Sequence, residues 1–252
     1  MSASSGKPYL SLPAPLVAPV REQRFAPAQA GDAFSLRFVN PHLPPPVPSA
    51  AADIASLRRT LRARRRAVPP ADRKRAALRL ALTVARAGWL KPGRRVGLYL
   101  PLAEEIDTHP LLALAQRRRC QVFVPRVTDY RRHRMRFMPL VGRLRKGRYG
   151  ILEPRGGAGR SVRSLDLLLM PLVGFDAHGN RIGMGKGYYD RALAYLDTRR
   201  SWRRPLLVGL AFECQRLPSL PVREHDVPLS FVVTEVNLHR FSRQPTTHRT
   251  PT

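Results

Sequence analysis

DLLLMPLVGFDAHGNRIGMGKGYYDR, residues 166–191, passes from a continuous apolar run through a glycine-rich turn into a segment with helical spacing. Residues 166–173 show no polar/apolar alternation, the pattern of a strand covered on both faces. Beyond the turn, Tyr189, Leu193 and Leu196 fall on one side of a helix expected near 188–200. Buried strand, tight turn and helix form the repeating unit of a layered α/β domain. The alternation continues outward from this stretch. Strands are expected at 94–100 (RRVGLYL), 120–125 (CQVFVP), 135–140 (MRFMPL), 205–212 (PLLVGLAF) and 230–235 (SFVVTE), with a helix near 108–119. Upstream, Ile54, Leu57 and Leu61 make one stripe of a helix that Asp53 is placed to cap and that Pro69 and Pro70 end; a second helix, 71–87, buries Ala77, Leu80 and Val84. The expected fold class is α/β, a layered α/β/α arrangement around a largely parallel sheet.

With 252 residues, 43% of them hydrophobic, the chain can bury one full-sized core and is short for two. One domain is expected over 51–240. Residues 1–50, with LPAPLVAP and PHLPPPVPSAA, read as a disordered Pro/Ala-rich extension, and the polar residues 241–252 as a disordered tail. The formal charge is +28, and with only five Lys it is carried almost wholly by Arg. Such a charge attracts polyanions non-specifically at low salt. No aromatic stacking platform or zinc module accompanies it, so no specific nucleic-acid partner is expected. Cys120 and Cys214 are far apart and outside any CxxC, against a disulfide framework or zinc site. No apolar stretch reaches the roughly 18 to 20 residues that cross a bilayer, and no secretory leader pattern opens the chain, so a cytoplasmic protein without membrane partners is expected.

The turn itself carries the chemistry. Gly183, Gly185 and Gly187 alternate, so the backbone can turn several N–H groups toward one anion at the start of a helix, and Arg181 and Lys186 supply mobile positive charge beside it. The pattern is neither Walker A nor GxGxxG. On the glycines alone, a tight turn with solvated cations competes with a phosphate site.

The residues around the turn carry a resemblance. GNRxGxGxGYYDR, after a buried strand ending in Phe175 and Asp176, resembles the signature of the 5-formyltetrahydrofolate cyclo-ligase (5,10-methenyltetrahydrofolate synthetase) family. YLPLAEEIDT (99–108), GLAFECQRLPSLPVREHDVPLSFVVTE (209–235) and LRRTLRARRRAVPPADR (57–73) resemble the family's other segments, so the likeness covers about 51–235 in order. It implies a NagB/RpiA/CoA transferase-like fold and conversion of 5-formyltetrahydrofolate to 5,10-methenyltetrahydrofolate. ATP is the co-substrate and Mg2+ the metal: the formyl oxygen is phosphorylated, the ring closes, and ADP and phosphate leave. It also implies the site. Lys186, Arg181 and Tyr188 would act catalytically; Arg58, Arg181, Gly183, Gly185, Lys186, Gly187, Tyr188 and Tyr189 would hold ATP. Leu100 and Glu105, with Gly185, Lys186, Gly187 and Tyr188, would contact the folate, and Asp190 and Asp226 would hold the metal. Two positions depart from the pattern: Ile54 replaces a Lys expected at the phosphates and Met184 a basic loop residue, with Arg59 and Arg62 as candidates to compensate. Those losses and the charge motivate an alternative, a weakened cyclo-ligase-like scaffold binding nucleic acid or other polyanions. His225 belongs to the motif and is assigned no chemistry.

Overall fold

The computed structural model describes residues 54–147, 150, 152–198, 205–221 and 226–241. The chain divides into two units, Met1–Pro44 and Pro45–Thr252, and every described residue belongs to the second. The expectations for residues 1–50, the 242–252 tail, the Asp53 cap and His225 lie outside the described residues.

Two helices lead. α1 (Ile54–Ala67) buries Leu57, Leu61 and, unexpectedly, Arg65. α2 (Pro70–Arg86) starts with Pro70 in its first turn, where proline's missing N–H costs nothing, and buries Ala76, Ala77, Leu80, Ala81 and Val84. Then come β1 (Arg95–Gly97), α3 (His109–Arg117), β2 (Gln121–Asp129), β3 (Arg134–Pro139), a short hairpin of β4 (Leu144–Lys146) and β5 (Leu152–Pro154), and β6 (Leu167–Pro171). The second half holds β7 (Gly174–Phe175), β8 (Arg181–Ile182), α4 (Tyr188–Leu193), α5 (Tyr195–Thr198), β9 (Leu206–Leu210), β10 (Phe231–Val233) and β11 (Leu238–Arg240). All six expected strands are present. The β4–β5 hairpin, the β7–β8 pair and β11 were not expected, because runs of two or three residues leave no readable period.

Seven strands form one sheet in the order β11-β10-β9-β6-β1-β2-β3. The five central strands are parallel, and β3 and β11 close the edges antiparallel. Side-chain alternation along β6 explains why its sequence is apolar throughout. Leu167 and Leu169 join a core with Leu80, Val84, Leu111 and Val208 under α2 and α3, while Leu168 and Met170 join Phe137, Leu193, Leu207 and Val232 under α4 and α5. Each such side chain removed from water contributes about 1.5–3 kcal/mol. α1 stands apart from both layers. It packs Leu57 and Leu61 on Val173, Ile182, Leu217 and Leu220 over the carboxyl edge of the sheet, with Ile54 partly buried in the same cluster. The helix expected over 188–200 is instead two short ones, α4 and α5, meeting at Ala194.

Candidate active site

The sheet order fixes where a ligand can enter. The chain leaves β1 for β2 on one side and returns to β6 on the other, so the carboxyl ends of β1 and β6 splay apart at a topological switch point. The loop after β1 carries Leu100, Glu104 and Glu105, the segment after β6 carries the glycine turn, and α1 lies over both.

The β6 segment is held by side chains the resemblance did not single out. Gln215 Nε2 donates to Leu172 O (2.8 Å) and Val173 O (2.9 Å), while its Oε1 accepts from Phe212 N (2.9 Å). Asp176, fully buried, accepts from His178 N, Asn180 N and Nδ2, and Leu220 N, all within 3.0 Å. These contacts fix the β7–β8 turn from which residues 183–187 emerge.

Gly185 (φ +88°) and Gly187 (φ +67°) occupy left-handed conformations that a side chain resists. Gly183 does not, and a Cβ there would meet open space, which corrects the expectation that all three glycines are needed for their backbone freedom. What Gly183 offers is its carbonyl: Arg58 Nε of α1 donates to it at 2.9 Å. The same guanidinium crosses Gly185, where a Cβ would lie 3.3 Å from Arg58 Cζ. The first helix and the glycine turn are thus joined, with Lys186 exposed on the turn. α4 is only six residues long, so few peptide dipoles add at its start, fewer than a helix over 188–200 would supply.

Arg181 is not the mobile cation expected. Its side chain is 5% exposed, its Nη1 donates to Val227 O, and its Nη2 meets Asp190 Oδ1 at 2.5 Å. Burial lowers its pKa, opposed by the charges of Asp190, Asp226 and Tyr189. Burial raises the pKa of the Tyr189 phenol, as does the charge of Glu105, while Arg181 opposes. Tyr188 packs its ring 5.4 Å from that of His133, in the β2–β3 turn. His133 was missed because its run, RRHRMR, reads as a solvated face.

On the β1 side, Leu100 and Glu105 are each 9% exposed, so Glu105 is no surface acid. Its Oε2 accepts from Leu102 N at 3.0 Å; burial nevertheless raises its pKa, against the pull of that bond and of Arg65's charge. Glu104 gathers α1, with Oε1 2.7 Å from Arg62 Nη2 and 3.2 Å from Arg65 Nη2. Burial works to raise the Glu104 pKa, but the Arg62 bond and the charges of Arg65, Arg62 and Arg66 outweigh it and hold it low. Arg62 is therefore committed to Glu104 and is not a spare cation for phosphate, and Ile54 serves packing.

Buried acid, tyrosines, arginines and a positive-φ glycine turn meet where the sheet opens, in the order of the segments quoted above. The profile of the 5-formyltetrahydrofolate cyclo-ligase family matches residues 50–235, well over half of the chain. This chain belongs to that family. The cyclo-ligase of Escherichia coli is 33% identical over 181 residues, 69% of this chain and 96% of that protein. The cyclo-ligase of Mus musculus is 31% identical over 198 residues, 74% and 97% of the two chains. Among solved structures, the Aquifex aeolicus 5,10-methenyltetrahydrofolate synthetase superposes with a TM-score of 0.64 at 27% identity, covering 78% of this chain and 99% of that one. The cyclo-ligases are ATP-dependent ligases of folate and one-carbon metabolism, and this chain is an enzyme of that class.

Proposed function

We propose that the residues gathered at the β1/β6 opening carry the cyclo-ligase reaction, with ATP over the glycine turn and 5-formyltetrahydrofolate against the β1 loop. The observation that supports this division is the joining of Arg58 to Gly183 and Gly185 on one side, with buried Glu105 and Leu100 in the β1 loop on the other. A formamide-like carbon is a weak electrophile; moving the γ-phosphoryl onto the formyl oxygen makes that oxygen a leaving group, and attack by the N10 nitrogen closes the ring with release of phosphate. Arg58, Lys186 and the loop N–H groups stabilise the phosphoryl charge as it develops. Arg181, fixed by Val227 and Asp190, holds position rather than moving with the nucleotide. Tyr188 orients the reacting end of the folate. Glu105 as a carboxylate accepts hydrogen bonds from pterin N–H groups, and Leu100 packs on the ring.

Among the described residues no group of three or more acids, histidines or cysteines is placed to hold a metal. Magnesium asks for less: one or two carboxylates complete its shell beside phosphate oxygens and water, and Asp190, paired with Arg181, together with Asp226, whose charge acts on the same guanidinium, would fit that requirement. When bound, the ion neutralises triphosphate charge. A cytoplasmic location accompanies the proposal; no helix among the described residues is long and apolar enough to cross a membrane.

The test is formation of methenyltetrahydrofolate, followed by absorbance, with ATP or magnesium omitted in turn. Wild type is expected to turn over only with both, and Asp190→Asn to need far more magnesium. Folded wild type without turnover, or turnover that ignores ATP, overturns the reading.

A further inference from the structure

Arg65 is the most deeply buried basic side chain among the described residues, and the reaction does not use it. Its side chain is 2% exposed and reaches two of the segments that surround the site, the β1 loop and the end of β6, while its backbone contacts α2. Nη2 lies 3.2 Å from Glu104 Oε1 in the β1 loop, Nη1 donates to Leu172 O (3.3 Å) at the end of β6, and its own carbonyl accepts from Arg73 of α2. Arg58, Arg62 and Arg65 follow one another at spacings of four and three, so they share one face of α1. That face meets Gly183 and Gly185 at its start and Glu104, the neighbour of Glu105, at its end. The 3.2 Å contact is close without being aligned as a hydrogen bond: Arg65 Nε and Nη2 and Glu104 Oε2 make none among the described residues. Realignment of the two side chains at this distance would make it a charge-assisted bond shielded from water, the strong kind.

We propose that Arg65 and Glu104 form a positioning pair that couples nucleotide binding to folate binding. Folate settling on Leu100 and Glu105 draws Glu104 onto Arg65, which seats α1 and so places Arg58 over the glycine turn; nucleotide on the turn does the reverse. The inference rests on the assignment of ATP and folate to the two sides given above.

Calorimetric titration of 5-formyltetrahydrofolate, with and without a non-hydrolysable ATP analogue and magnesium, reads the coupling directly. Wild type is expected to bind folate about fivefold or more tightly with the analogue, with the same factor for the analogue when folate is added first, as linkage requires. Glu104→Gln is expected to bring that factor below about twofold. It also leaves Arg65 uncompensated and lowers Tm, so a second variant is needed. Arg65→Met with Glu104→Leu removes both buried charges, so its Tm is expected above that of Glu104→Gln, and it too is expected to lack coupling. Arg75→Ala on exposed α2 is expected to keep the wild-type factor. Coupling retained in the double variant, or wild type binding both ligands independently, overturns the inference alone. Wild type binding neither ligand sinks the functional assignment and this inference with it.

Discussion

Glu105 shows how one residue's surroundings set a measurable property of the enzyme. Burial raises its folded-state pKa, so the carboxylate is disfavoured in the fold and the stability it lends is fullest at low pH, declining as pH rises through the raised value. Substrate recognition runs the other way, because pterin N–H groups need the ionised form. The acid limb of kcat/KM for the folate, which reports the free enzyme, is therefore expected above about 4.3, glutamate's ordinary value. Glu105→Gln is expected to abolish that limb and raise the folate KM; an acid limb unchanged in Glu105→Gln removes Glu105 from substrate recognition. Arg58 acts at the same scale for ATP. Losing a charge-assisted contact costs roughly 1.5–3 kcal/mol, so Arg58→Ala is expected to raise the ATP KM on the order of tenfold to a hundredfold while the folate Kd measured without nucleotide stays put. Equal loss on both substrates would place Arg58 in the framework instead.

At the scale of elements, the glycine turn is shaped from below by Asp176 and from above by α1. Asp176 is sealed from solvent and accepts bonds from three residues of the chain, so Asp176→Ala leaves several buried donors unmet. The expected cost is about 3 kcal/mol or more, read as a fall in Tm. Gly187→Ala acts differently. It places a Cβ at φ +67° and 2.9 Å from Arg191 Nη1, at a cost on the order of 1 kcal/mol. Activity is expected to fall well beyond what that lost stability explains, because the turn's N–H groups lose their aim; matched losses of Tm and turnover would make Gly187 a structural glycine only.

The whole molecule carries +28. That excess already counts every acid, including Glu104, Asp166 and Asp190, which pair with Arg62 and Arg65, with Arg95 and with Arg181. Other arginines crowd the rim, with Arg131, Arg132 and Arg134 beside His133 at the turn that meets Tyr188. A basic rim draws polycarboxylate substrates by Coulomb attraction, so kcat/KM is expected to rise with the number of glutamates on the folate and to lose that dependence at about 1 M salt, where the Debye length is about 3 Å. Equal efficiency on mono- and polyglutamates at low salt counts against it. Retention on heparin that disappears at moderate salt is expected alongside, as non-specific charge.

The sequence by itself determined the layers and the family. Residues 167–173 are apolar at every position because β6 is covered on both faces, and that physical requirement is visible without coordinates. The ordered segments from Leu57 to Glu235 likewise sufficed to identify the cyclo-ligase pattern. Which charges are free was decided only by the tertiary structure. Arg62 and Arg181 read as available cations, yet each is bound to an acid, Arg62 to Glu104 forty-two residues away. Arg65 sits within a run of solvated arginines and is nonetheless buried, and His133 reaches Tyr188 across a hairpin. Periodicity records which face of an element turns inward; it holds no record of which distant partner waits there, because ion pairs and ring contacts are made between segments that only folding brings together.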